Sequence, residues 1–105
     1  MKSAYGGYTA VYVYIMTDKT RTTLYVGVTP DLDRILWEKR HNLFDTSTTD
    51  GFNVEILLYW EAYNRKAQAI AREEKLKALR PARKIALIAT QNPNWLDLGS
   101  SFLQI

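Results

Sequence analysis

The chain has 105 residues, 47% of them hydrophobic and 24% charged, with a formal net charge of +3 and no cysteine. That is globular composition, and the length fits one domain spanning 1–105, which buries roughly 60–70% of the surface its unfolded chain exposes. Without cysteine there is no disulfide, thiolate metal site or cysteine nucleophile, a usage compatible with a reducing compartment. The single histidine, His41, excludes a multi-histidine zinc site. The longest apolar run, Ala10 to Met16, is far short of the roughly 20 residues that cross a bilayer. The first residues lack a signal-peptide pattern, so the expected location is cytoplasmic, with no membrane partner.

In chain order, residues 1–8 are small, polar and glycine-bearing and predict a loose lead-in. Ala10 to Met16 (Ala-Val-Tyr-Val-Tyr-Ile-Met) is β-branched and aromatic and predicts a strand. Val11, Val13 and Ile15 fall on one face, and Tyr12, Tyr14 and Met16 on the other. The polar stretch 17–22 separates it from a second strand, Thr23 to Val28, and the short connection predicts an antiparallel hairpin. Thr29 is then a candidate N-cap with Pro30 at the first helical position. Leu32, Ile35 and Leu36 mark one face of a helix running to about Arg40. Residues 41–52 predict a loop and Asn53 to Tyr59 a third strand. Asn64 is a candidate N-cap for a helix over Arg65–Leu79. Pro81 opens another helix with Ile85, Leu87 and Ile88 as its apolar positions, ending near Asn92-Pro93. A tail with Trp95, Leu96, Leu98 and Phe102 is apolar enough to pack back. The order β-β-α-β-α-α predicts an α+β (mixed α/β) domain: a three-stranded sheet packed with helices, too few strands for a doubly wound nucleotide fold.

Charge is unevenly spread. Residues 65–84 hold eight basic residues (Arg65, Lys66, Arg72, Lys75, Lys77, Arg80, Arg83, Lys84) against Glu73 and Glu74, a local net of +6. Residues 1–64 hold six basic and eight acidic residues, a local net of −2. Such a stripe is the footprint of a phosphate-backbone partner; it is equally the composition of a solvated helix face, since lysine and arginine are good helix formers.

Several chemistries are excluded. There is no Walker A pattern, no GxGxxG and no GxSxG elbow, so no small-molecule cofactor is expected. Two features remain. Tyr14 and Tyr25 lie on the two hairpin strands, where two phenols can meet. A phenol of pKa near 10 needs a cation or metal to act as a base, and tyrosine is also an ordinary strand residue. In the helix of residues 65–79, Glu73 is three residues from both Ile70 and Leu76 and interrupts the apolar stripe. A carboxylate there is costly unless paired or bound to a cation; an i,i+4 pair with Lys77 would serve. Glu74, four residues from Ile70, leaves the choice between the two acids open.

Four segments in order carry a resemblance. Tyr12-Val13-Tyr14-Ile15-Met16 and Leu24-Tyr25-Val26-Gly27-Val28-Thr29 resemble the paired strand motifs of the GIY-YIG nuclease superfamily. Ala69-Ile70-Ala71-Arg72-Glu73, and Arg83-Lys84-Ile85-Ala86-Leu87-Ile88 leading to Asn92-Pro93-Asn94-Trp95, extend it over about residues 8–98. The chain is similar to the small stand-alone bacterial members, relatives of the excision-repair nuclease domain. The resemblance implies metal-dependent phosphodiester cleavage of DNA, single-stranded and branched DNA included, in a DNA-repair setting. It implies Tyr14 and Tyr25 as catalytic tyrosines, Gly27 as the motif glycine against the nucleic acid, and Glu73, not Glu74, as the ligand of Mg2+ or Mn2+. A tyrosine would help deprotonate the attacking water, with the ion as Lewis acid.

One departure bears on activity. The resemblance implies an arginine clamp on the scissile phosphate ten residues after Tyr25, and Ile35 stands there. Arg34 is one residue early, about 100° around the helix. Lys39, one turn after Ile35, projects from the same face and is the substitute. Both are candidate catalytic residues. Loss of a placed clamp costs on the order of 10² to 10³ in rate, so the expectation is a weakened nuclease, the alternative being an impaired relative that binds nucleic acid. Arg72, Lys77, Arg80 and Lys84 are the candidate backbone contacts.

Overall fold

The computed structural model describes residues 10–40 and 54–99. The expected loop over 41–52, the expected start of the third strand at Asn53, His41 and Phe102 lie outside them. The elements are β1 (Val11–Thr17), β2 (Leu24–Thr29), α1 (Leu32–Arg40), β3 (Ile56–Tyr63), α2 (Lys66–Ala78) and α3 (Pro81–Gln91). The sheet is antiparallel with strand order β2-β1-β3.

Strand β1 alternates as its sequence demands, and the two faces carry separate apolar clusters. Val11, Val13 and Ile15 pack with Val26, Ile56, Leu58 and Tyr59 against Ala69 and Leu76 of α2 and Ile88 of α3. Tyr14 and Met16 pack with Leu57 and Val54 against Leu32 and Leu36 of α1. The sheet is therefore sandwiched, with α1 on one face and α2 and α3 on the other. Strand β3 reaches this arrangement through an irregularity. Ile15 pairs with Tyr59 and Met16 with Leu57, so Leu58 is the extra residue of a bulge. Leu58 and Tyr59 thus share one face, and Trp60 turns to the other, beside Tyr14.

The hairpin turn is held by side chains. The Asp18 carboxylate accepts from the Thr22 amide at 2.9 Å and from its hydroxyl at 3.2 Å. The Thr17 hydroxyl donates to the Thr23 carbonyl at 2.6 Å. Several expected boundaries move. The cap of α1 is Asp31, not Thr29: its carbonyl accepts from Ile35 and its carboxylate from the Arg34 amide at 3.2 Å. Thr29 instead accepts the Asp31 amide at 3.0 Å, leaving Pro30 in the turn outside the helix. Strand β3 continues to Tyr63, past the expected end at Tyr59, and α2 begins after Arg65, not Asn64, with no side-chain cap.

The last residue of α3 and the segment after it seal the outer edge of β3. Gln91 accepts from the Trp60 amide at 3.1 Å and donates to its carbonyl at 3.0 Å. The buried Asn92 amide donates to the Leu58 and Leu96 carbonyls and accepts the Leu96 amide. Asp97 takes the Leu57 amide at 3.1 Å. These bonds satisfy an edge that would otherwise offer itself for pairing. Trp95 and Leu98 pack back as expected. Leu96 does not, at 61% exposed, because its backbone is what Asn92 holds. Ile85 is likewise exposed, and Leu87 and Ile88 supply the apolar face of α3.

Candidate active site

The hairpin register sets the first part of the site. Tyr14 pairs with Gly27, and Met16 with Tyr25. The Tyr14 ring lies over Gly27: a Cβ added there would meet the phenol oxygen and the ring carbon that bears it at separations under 3.0 Å, which real Cβ atoms do not show. The absent side chain lets the ring lean across β2 towards Tyr25, with centroids 6.2 Å apart and planes inclined by 40°. Tyr14 is 3% exposed. Burial first, then the neighbouring Tyr25 and the Glu73 carboxylate, and a hydrogen bond with Tyr25, push its pKa far above the ordinary phenol value. Tyr25 is half-buried.

Helix α1 places two of the expected cations differently. The Lys39 ammonium stands over the Tyr25 ring, 5.2 Å from its centroid, a cation–π distance. Arg34 is 72% exposed and paired with Glu38 at 2.9 Å. Ile35, between them in register, packs against the Tyr14 and Met16 cluster. The one-residue offset thus turns Arg34 to solvent and brings Lys39 to the tyrosines.

Helix α2 supplies the carboxylate. Glu73 stands in the stripe of Ala69 and Leu76 on α2, which packs on the sheet face opposite the Tyr14 and Tyr25 cluster; its negative charge is one of the influences that raise the Tyr14 pKa. Its side chain is only 15% exposed, and Oε2 lies 3.3 Å from the Lys77 ammonium. Glu74 is exposed. Glu73 therefore has shelter and a counter-ion in Lys77, whereas Glu74 lacks the shelter.

Arg72 is engaged elsewhere. Its Nε donates to Glu61 Oε1 at 2.9 Å and its Nη2 to Oε2 at 3.0 Å. The Tyr59 and Tyr63 hydroxyls donate to the same carboxylate at 2.5 and 2.6 Å. This network fastens α2 to β3 immediately beside Glu73. Two of the three Arg72 guanidinium nitrogens, Nε and Nη2, are thus engaged by Glu61. Glu61 was missed by the sequence reasoning, though Tyr59, Glu61 and Tyr63 recur at the two-residue spacing of one strand face. Of the other expected backbone contacts, Lys77 and Arg80 are exposed and Lys84 is half-buried.

The set of side chains at the site fits a hard divalent cation only in part-built form. Among the described residues there is no group of three or more His, Cys, Asp or Glu side chains. A lone sheltered carboxylate suits Mg2+, which keeps several waters and takes phosphate oxygens as remaining ligands.

A hairpin carrying facing tyrosines across a glycine, backed by a helix that presents one carboxylate, defines a class. A family model described as the GIY-YIG catalytic domain matches residues 10–86, and the chain belongs to that nuclease family. Its fold is similar to that of a UPF0213 protein from Bacillus halodurans solved in solution by NMR. The two are 23% identical, the match covers 87% of this chain and 95% of that one, and the TM-score is 0.54. No curated protein matches the chain.

Proposed function

We propose that the chain is a metal-dependent DNA endonuclease, working below the rate its fold could support. The single observation that carries this reading is the leaning of the Tyr14 ring across Gly27 towards Tyr25, with the Lys39 ammonium over the Tyr25 ring.

Glu73 would hold the cation, Mg2+ or Mn2+, which when bound supplies Lewis-acid stabilisation of charge developing on the phosphate and leaving oxygen. The rest follows from the chain's own groups. Tyr14, protonated across the working pH range, orients Tyr25 through their shared hydrogen bond. Tyr25 is the phenol that solvent reaches, and it positions the attacking water. Lys39 lies beside it and balances phosphate charge in place of the arginine that Ile35 displaces. An ammonium is a flexible point charge where a guanidinium is a planar fork, so the clamp is weaker.

The exposed cations Arg65, Lys66, Lys75, Arg80 and Arg83 would hold the backbone of the nucleic acid. Single-stranded and branched DNA are the substrates to try first. The test is incubation with labelled single-stranded, duplex and branched DNA, in Mg2+, in Mn2+ and in chelator. Slow, chelator-sensitive cleavage is expected. Binding to all three with no cleavage of any would favour the non-cutting alternative.

A further inference from the structure

We propose that Lys77 is an exchangeable counter-ion, covering Glu73 in the cation-free protein and moving to a substrate phosphate when a divalent cation takes the carboxylate. The inference rests on Glu73 being the cation ligand. It starts from an asymmetry within one ion pair. Glu73 and Lys77 are one helical turn apart on α2 and 3.3 Å apart at their charged atoms. The carboxylate is 15% exposed and the ammonium side chain 57%. One partner is fixed in shelter, and the other stands in solvent on a flexible four-carbon stem with three rotatable donors.

A divalent cation and an ammonium repel each other and compete for the same oxygen. When the cation binds, Lys77 is released with its stem already beside the site. A phosphodiester drawn to the cation then supplies the anionic oxygen that the ammonium has lost, as a charge-assisted hydrogen bond. The site has use for such a cation. Arg34 is committed to Glu38 and Arg72 to Glu61, while Lys39 stands over Tyr25. Exchange makes cation and nucleic acid mutually reinforcing: each binds better when the other is present, by the same factor.

The experiment is calorimetric titration of the full chain with Mn2+ at low salt, without DNA. It compares the unmodified protein with Lys77→Met, Lys75→Met and Glu73→Ala. An oligonucleotide-binding titration with and without Ca2+ follows. Removing an exposed competitor should tighten Mn2+ binding by about two- to fivefold in Lys77→Met. Lys75→Met, which removes the same charge from outside the pair, should change it by less than about twofold. The gain in oligonucleotide affinity produced by Ca2+ should shrink in Lys77→Met. Unchanged or weaker Mn2+ binding by Lys77→Met, with binding still lost in Glu73→Ala, would overturn the exchange and leave the Glu73 ligand standing. Full Mn2+ binding by Glu73→Ala would overturn both.

Discussion

Replacing Gly27 with alanine isolates the packing on which the tyrosine pair depends. Gly27 faces Tyr14 across the β1–β2 register, and the added methyl would meet the Tyr14 phenol oxygen and two ring carbons. Tyr14 cannot retreat, because Met16, Leu32 and Leu36 pack around it with almost no exposure. Two opposite outcomes are available. A glycine in an unhindered strand position is about 0.5–1 kcal/mol less stable than alanine, so substitution would stabilise. Overpacking of a filled core costs about 1–3 kcal/mol. With this contact the second term wins, and Gly27→Ala should destabilise. Each kcal/mol moves Tm by roughly 4–8 °C in a domain of about this size. A phenol displaced by about 1 Å should also cost on the order of 10²-fold in cleavage rate. The assays are thermal and urea denaturation together with initial cleavage rates. Tyr14→Phe removes the phenol oxygen, one of the three atoms met, so the double variant should recover part of the lost stability. A Gly27→Ala protein as stable and active as the unmodified chain would refute the close approach of Tyr14 to Gly27.

Other outcomes follow from the same structure. Burial alone would raise the Glu61 carboxyl, but hydrogen bonds from Arg72, Tyr59 and Tyr63 outweigh it and hold the pKa below the ordinary glutamate value. Its stabilising contribution is therefore present above the unfolded pKa near 4.3 and is lost as pH falls through the lower folded value. Glu61→Gln should cost about 1–3 kcal/mol at neutral pH and flatten the loss of stability on acidification, which urea titrations between pH 3 and 7 read (roughly the span on either side of that pKa). Tyr14 lies far above the usual phenol range, and Tyr59 is pushed up to about 12 by burial and by Glu61. Absorbance near 295 nm should therefore show these two of the seven tyrosines protonated beyond pH 10, about where a free phenol titrates, and ionising only as the fold opens. Ile35→Arg should raise cleavage at least about tenfold by restoring a placed guanidinium, at some loss of the packing Ile35 makes with the Tyr14 cluster. Equal rates in the two proteins would refute Ile35 as the cause of slow cleavage.

The layers of this fold were legible because the sequence is locally consistent. Alternation in Ala10–Met16 separated the two faces of β1, and Pro81 and Asn92 bracketed α3 within a residue. The meeting of Tyr14 and Tyr25 across the hairpin was also legible, and α1 rotates Arg34 away as a 3.6-residue helix requires. What escaped depends on partners distant in sequence. The bulge at Leu58 is set by packing against α2 and α3, and no local propensity marks it. Residues 60–63 read poorly as strand because Glu61 and Ala62 are weak strand formers; Glu61 is stabilised there by Arg72, eleven residues later. The cap at Asp31 was obscured by Pro30, whose usual place at the start of a helix drew the boundary two residues early.

The most direct test of the account is cleavage of a labelled single-stranded oligonucleotide in Mn2+, comparing the unmodified chain with Glu73→Ala and Glu74→Ala. The account predicts slow, chelator-sensitive cleavage that Glu73→Ala abolishes and Glu74→Ala leaves within about twofold, since surface substitutions away from a site have small effects. Cleavage that persists in Glu73→Ala, or is lost in Glu74→Ala instead, would contradict the assignment of the sheltered carboxylate as the centre of the site.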